Sequence, residues 1–339
     1  MLTATQTNRR ATKRRFGYSV SSAETDQPMS ERKDWPRIAV VGAGAVGGYF
    51  GGMFARAGAP VVFIGRRYFA DAVNSTGLVL DKSEGQERIR VSATTEISAI
   101  RDCSLILFSV KANDTAETAK QIAPFLQPGA TVVSLQNGVD NADRIRAATN
   151  VVTLPAAVYV AVSVPEFGRV KHLARGDLII GPLSERTTEV ANVFNRAAIS
   201  CRISENIEGE LWVKLLRNCA LNAISALGHA MYGEIAKSDD AKQLMQNVVD
   251  EVLAVAQAAR VVLPGVHDRA SGMAAAMEIA AQMAGALSST AQDLARGRPT
   301  EIDALNGYIA RRGAELGVPV PVNHALFTLV KLAEQKGVI

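Results

Sequence analysis

The chain has no apolar run long enough to cross a membrane. A helical span needs about 18 uninterrupted apolar residues, and the nearest stretch, 151–164, is broken by Pro155. It also lacks any C-x-x-C pair. Cys103, Cys201 and Cys219 are scattered and odd in number, which argues for reduced, buried thiols and a cytoplasmic protein. The four histidines, His172, His229, His267 and His324, show no metal-ligand spacing, so no metal is expected. A basic face for nucleic acid is missing too. Lys and Arg number 37 against 33 Asp and Glu, but residues 1–36 hold seven of the former and four of the latter, leaving the rest nearly neutral.

Residues 1–36 lack the apolar h-region of a secretory signal, and the first twenty lack any acid. Ser, Thr, Gln and Asn dominate over an amphipathic pattern, so a disordered basic tail is expected. Met29 offers a later start.

What the chain does have begins at Arg37. Residues 37–41 form a short β-branched apolar run, read as a buried parallel strand. It enters Gly42-Ala43-Gly44-Ala45-Val46-Gly47, a G-x-G-x-x-G, followed by a helical pattern to about Ala57, a stop at Gly58 and a second apolar strand, Pro60 to Ile64. That context marks a dinucleotide-binding turn. Gly42 permits the tight turn, Gly44 lets the backbone approach a pyrophosphate, and Gly47 lets the helix pack on the strand. The helix N-terminus then offers free N–H groups to phosphate. The second strand ends without the acid that would hold a ribose 2′-hydroxyl. It ends instead in Ile64-Gly65-Arg66-Arg67, and an arginine there can pair with a 2′-phosphate, so NADP(H) is the expected cofactor. The alternative is a pair of ordinary solvated charges after a strand.

Short strands at 78–80 and 89–91, in a hairpin, come next. A buried strand at 105–110 delivers Lys111, a helix covers 115–126, and a strand at 131–135 delivers Gln136-Asn137-Gly138. Further strand material at 151–164, a hairpin-like pair of strands over 168–181 and a helix at 187–198 complete this half. The alternation implies a doubly wound, mostly parallel Rossmann-type sheet over 37–204. The glycine turn, Arg66, Lys111 and Asn137 all fall at C-terminal strand ends, where such sheets bind ligands.

From residue 205 to 339 the pattern becomes all-helical. Helices are expected from Glu205 or Asn206 to Gly228, over 239–260, over 268–294 as one piece, from a capping box at Thr300 to Leu316, and over 323–335. Lys214, Asn218 and Asn222, at i, i+4 and i+8, form a polar stripe on an otherwise apolar helix. Unpaired polar groups are costly to bury, so the stripe should face a ligand, a polar partner or water; a solvated face is the plain alternative. A partly desolvated lysine can be tuned to protonate the alkoxide of a ketone reduction.

The segments VVGAGAVGG, VKA at 110–112, QNG at 136–138, LWVKLLRN at 211–218, SSTAQDLARGRPTEID at 288–303 and GVPVPVN at 317–323 together resemble the ketopantoate reductase (2-dehydropantoate 2-reductase) family over about Arg37 to Gln335. The resemblance implies reduction of ketopantoate to pantoate with NADPH, in pantothenate and coenzyme A biosynthesis. It implies that the glycine turn holds the pyrophosphate, Arg66 the 2′-phosphate, and that Lys111, Asn137 and Ala161 lie along the cofactor. Lys214 resembles the proton donor; Asn218, Asn222 and Ser289 resemble substrate contacts; Glu301 resembles an acid at both nicotinamide and substrate. By itself Glu301 could be a first-turn carboxylate complementing a helix dipole. Two departures from the family pattern are Tyr232 before Gly233, where some members have Asn, and SSTAQD for SSMLQD.

Three functions follow for test: ketopantoate reduction; NADPH-dependent reduction of another 2-oxo acid or an imine; and a non-catalytic NADP-sensing regulator, against which Lys214 and Glu301 argue. The expected partner is a small-molecule 2-oxo acid, with neither nucleic acid nor membrane, and a homodimer left open.

Overall fold

A computed structural model describes residues 35–336. The expected tail therefore lies, but for its last two residues, outside the described residues.

Strand β1 (Ile38–Val41) is buried along its whole length. It leads through the glycine turn into α1 (Ala45–Arg56) and β2 (Val61–Ile64), as the sequence pattern requires. Helix α2 (Arg67–Thr76) follows, then a hairpin of β3 (Leu78–Lys82) and β4 (Gly85–Ile89), and β5 (Ser92–Thr94). Next come β6 (Leu105–Phe108), α3 (Thr115–Ile122), β7 (Thr131–Ser134), α4 (Asn141–Thr149) and β8 (Val152–Glu166). Strand β9 (Arg169–Ile180), α5 (Glu185–Arg196) and β10 (Cys201–Ile203) close this half.

The strand order is β4-β3-β9-β8-β7-β6-β1-β2-β5, with β10 beside β9. From β5 to β8 every pair is parallel; β8–β9 and β3–β4 are antiparallel. Side chains alternate between faces of a strand, and β1 shows it. Ile38 and Val40 join a core with Phe50 and Phe54 of α1 and Phe194 of α5. Ala39 and Val41 join the opposite core with Ala119 and Ile122 of α3 and Ile145 of α4. Helices on both faces are what makes the central strands apolar throughout.

Residues 168–181 are not a pair of strands. Residues 169–180 form the single strand β9, antiparallel to β8. The turn-like Arg175-Gly176 is a bulge instead, with positive φ at both residues (58° and 138°) opposite Tyr159 and Val160. An extra residue in one strand bends it and re-aims side chains without ending it.

Helix α6 (Ile207–Gly228) starts at Asn206, whose side chain accepts from Gly209 N. Around it lie α7 (Tyr232–Ile235), α8 (Asp239–Ala258), α9 (Arg269–Gln282), α10 (Ser289–Ala295) and, after α11 (Asn306–Leu316), α12 (Pro321–Lys336). Trp212, Leu215, Leu216, Cys219 and Ala220 of α6 are almost fully buried in a core with α8, α9, α11 and α12. Each large apolar side chain so buried is worth about 1.5–3 kcal/mol. Ile207 and Leu211 also pack on Ala157 of β8 and Ile179 of β9, seating α6 against the sheet.

Two helix expectations are corrected. The run 268–294 is two helices, because Ser288 starts α10 with a side-chain cap to Ala291 N. The segment after Thr300 is a short 3-10 turn, Ile302–Ala304, and α11 begins only at Asn306. Glu301 makes no cap.

Candidate active site

Three side chains from different parts of the chain form one relay. Lys214 Nζ donates to Asn137 Oδ1 at 2.8 Å, and Asn137 Nδ2 donates to Glu301 Oε2 at 2.8 Å. The other Glu301 oxygen accepts from the backbone N of Ala112 at 3.1 Å. Asn137 is thus held at both ends of its amide, carbonyl to the ammonium and NH2 to the carboxylate. Its position follows from β7, which ends two residues before the QNG segment. A buried polar set lies beneath: Asn141 Nδ2 donates to the Asn137 carbonyl at 2.7 Å, Thr115 Oγ1 donates to Asn141 Oδ1, and Gln136 Nε2 donates to Thr115 Oγ1 and to the Val110 carbonyl. The sequence reading quoted Gln136 without a role and missed Thr115 and Asn141. Their signal was weak, since a buried polar residue is recognised by its partners.

Lys214 is partly buried, and burial lowers its pKa to about 8. Arg175 pushes the same way, while the Glu301 carboxylate opposes both. Lys214 Nζ lies 5.9 Å from the Tyr159 ring centroid and Arg175 Cζ lies 4.4 Å from it. An acid with a pKa near working pH is suited to give up a proton.

On the same face of α6, Asn218 is partly exposed and finds no hydrogen-bond partner among the described residues. Asn222 is buried, and its Oδ1 accepts from the Tyr232 hydroxyl at 2.8 Å. Ser289, the first residue of α10, is exposed. Its neighbour Ser288 is the buried, structural one: it caps α10 and donates to the Asn222 carbonyl at 2.9 Å.

The glycine turn fits a dinucleotide pyrophosphate. Gly42 has φ +97°, and a Cβ there would meet Val110 N at 2.6 Å. A Cβ on Gly47 would meet the Gly42 carbonyl and Ser109 Oγ at 2.3 Å, so the helix packs as closely as the sequence implied. A Cβ on Gly44 would meet nothing within 4 Å. That open space lies at the N-terminus of α1, which has no side-chain cap. Ala43, Ala45 and Val46 complete the turn. Arg66 follows β2, is exposed, and among the described residues its guanidinium donates only to Tyr68 Oη, at 3.1 Å. Lys111 follows β6 and is paired with Asp293 of α10, a residue the sequence reading did not single out. Burial raises the Asp293 pKa, and Lys111 opposes it. Ala161, on β8 opposite Ala174, is not among the residues these bonds join. Among the described residues no helix is long and apolar enough to cross a membrane.

The model of the family described as Ketopantoate reductase PanE/ApbA matches residues 38–185, and its C-terminal companion matches residues 206–334. The chain belongs to the ketopantoate reductase family. The first match contains the glycine turn, Arg66, Lys111 and Asn137; the second contains Lys214, Asn218, Asn222, Ser289 and Glu301. The chain is 30% identical to the 2-dehydropantoate 2-reductase of Halobacterium salinarum over 311 residues, 89% of this chain and all of that one. The crystal structure of a PanE/ApbA family ketopantoate reductase from Ralstonia eutropha superposes with a TM-score of 0.84 at 43% identity, over 89% of this chain and 99% of that one. A D-mandelate dehydrogenase in ternary complex with NADH and anilino(oxo)acetate shares the fold, with a TM-score of 0.82 at 23% identity over 88% of this chain and 98% of that one. As a ketopantoate reductase family member, the protein is a pyridine-nucleotide-dependent oxidoreductase acting on a small-molecule carbonyl.

Proposed function

We propose that this protein reduces 2-dehydropantoate to pantoate, with NADPH as the preferred cofactor. The observation that carries the reading is the Lys214–Asn137–Glu301 relay, whose Asn137 follows β7 in the same parallel sheet whose β1 and β2 present the glycine turn and Arg66. When bound, the nicotinamide supplies the hydride that reaches the carbonyl carbon. Lys214 gives its charge and then a proton to the carbonyl oxygen, and recovers a proton from solvent. Asn137 fixes the Lys214 ammonium, and Glu301 fixes Asn137 and borders both cofactor and substrate. Asn218, Asn222 and Ser289 hold the polar groups of the oxo acid. Gly42–Gly47 hold the pyrophosphate, Arg66 the 2′-phosphate, and Lys111 and Ala161 lie along the cofactor.

In this reading 37–204 is the cofactor domain and 205–339 the substrate domain, working in the cytoplasm. The test follows loss of the reduced-nicotinamide absorbance with a panel of 2-oxo acids, each with NADPH and with NADH. Fastest turnover with 2-dehydropantoate and NADPH is expected. No turnover of 2-dehydropantoate would overturn the substrate, and equal efficiency with NADH would overturn the cofactor preference.

A further inference from the structure

The group that fixes Asn222 lies outside α6. Tyr232, the first residue of α7, donates its hydroxyl to Asn222 Oδ1, and the two side chains are 7% and 4% exposed. Burial holds the phenol above its ordinary range, so it stays a donor. An asparagine side chain has one acceptor end and one donor end. With the carbonyl end turned to the Tyr232 hydroxyl, the NH2 end is turned away from it. No described residue accepts from that nitrogen. Nor is it one of the sealed, unpartnered polar atoms among the described residues, which are Thr131 Oγ1, Arg217 Nε and Asn306 Oδ1. It therefore reaches accessible space, on the helix face that carries Lys214 and Asn218.

Tyr232 is itself anchored. Its backbone N donates to the Ala286 carbonyl at 3.0 Å and Gly233 N to that of Ala284 at 2.9 Å, tying α7 to the link before α10. Ser225 Oγ donates to the Ala230 carbonyl and accepts from Ser288 N. Position 222 is thus held by its main chain through Ser288 and by its side chain through Tyr232.

We infer that Tyr232 is a positioning residue for substrate specificity. Its hydroxyl locks the Asn222 amide with the NH2 toward the substrate, so that position 222 recognises an acceptor oxygen on the 2-oxo acid. This rests on the proposed function in so far as it takes Asn222 to face the oxo acid. A tyrosine that merely filled the helical core would leave the amide's orientation, and hence substrate binding, unaffected by loss of the hydroxyl.

Tyr232→Phe removes that oxygen and keeps the ring. It is expected to lower kcat/KM for 2-dehydropantoate about tenfold, chiefly through KM, the scale of one buried hydrogen bond. The Kd for NADPH should not move. In an Asn222→Ala background the same change should have no further effect, because coupled residues are non-additive. Asn222→Asp, which keeps the acceptor for Tyr232 and loses the donor, should raise KM as much as Asn222→Ala. An unchanged KM in Tyr232→Phe, equal losses in both backgrounds, or a normal KM in Asn222→Asp would each overturn the inference. If the wild-type enzyme leaves 2-dehydropantoate untouched, the proposed function fails. The cycle is then read on the 2-oxo acid it reduces fastest, so the role of Tyr232 is judged separately.

Discussion

Lys214 reaches from α6 to donate to Asn137 Oδ1 at 2.8 Å, joining a helix of the C-terminal half to the loop after β7. An ammonium taken from bulk water is disfavoured, and its pKa falls to about 8. Reduction needs the protonated form, which predominates below that value and is lost above it. kcat/KM for the oxo acid should therefore be flat on the acid side and fall about tenfold per pH unit above about 8. Glu301 raises the lysine pKa and Arg175 lowers it. Glu301→Gln should thus move the break to lower pH, and Arg175→Gln to higher pH. pH–rate profiles of the three proteins check this, and shifts in a common direction would refute the assignment.

The second and third glycines of the turn should fail differently. Gly44→Ala places a methyl group where the protein has nothing within 4 Å. Stability should stay within about 0.5 kcal/mol, while the Kd for the dinucleotide rises. Gly47→Ala drives a methyl group into the Gly42 carbonyl, and overpacking of that kind costs about 1–3 kcal/mol. Denaturant unfolding beside fluorescence titration with NADPH separates the outcomes. A Gly44→Ala protein that binds normally would mean the pyrophosphate lies elsewhere.

Arg66 stands exposed after β2, its guanidinium bonded to Tyr68 alone among the described residues. Arg66→Ala should raise KM for NADPH by about 10-fold or more, the scale of a hydrogen bond to a charged group, and leave KM for NADH nearly unchanged. Equal effects on the two cofactors would remove the 2′-phosphate from the account.

The strand–turn–helix–strand unit was legible because each signal is local: β-branched residues in the strand, glycines at fixed offsets, Gly58 at the stop. The start of α6 was legible to within one residue, Glu205 or Asn206, for the same reason, and the side-chain cap on Gly209 N decides for Asn206. The bulge at Arg175-Gly176 was not, because a glycine with positive φ looks the same in a turn as in a bulge, and only the partner strand decides. Glu301 shows the competition most plainly. Its local setting resembles a helix start, yet its carboxylate is claimed by Ala112 N and Asn137 from the other half of the chain. The pairs Lys111–Asp293 and Tyr232–Asn222 are likewise products of packing. Spacing alone placed Lys214, Asn218 and Asn222 on one face, and left unsaid which of them the protein would engage itself.

Removal of the lysine tests the proposed chemistry most directly. Lys214 meets the substrate oxygen as it becomes an alkoxide, an interaction stronger in the transition state than in the ground state, so its loss should appear mainly in kcat. General-acid assistance is typically worth about 10²–10⁴-fold, and Lys214→Ala should lose roughly that much turnover. The glycine turn and Arg66 do not depend on the Lys214 side chain, so NADPH affinity should stay close to wild type. Stability should not collapse either, since the change removes a partly desolvated charge and leaves Asn137 Oδ1 beside a space that water can fill. Asn218→Ala, at a side chain with no partner among the described residues, should instead weaken substrate binding with a smaller loss of kcat. Steady-state kinetics, NADPH titration and a thermal midpoint on each variant give the answer. Near-normal kcat in a folded Lys214→Ala protein would take the lysine out of the mechanism and leave Glu301 or solvent as the source of the proton.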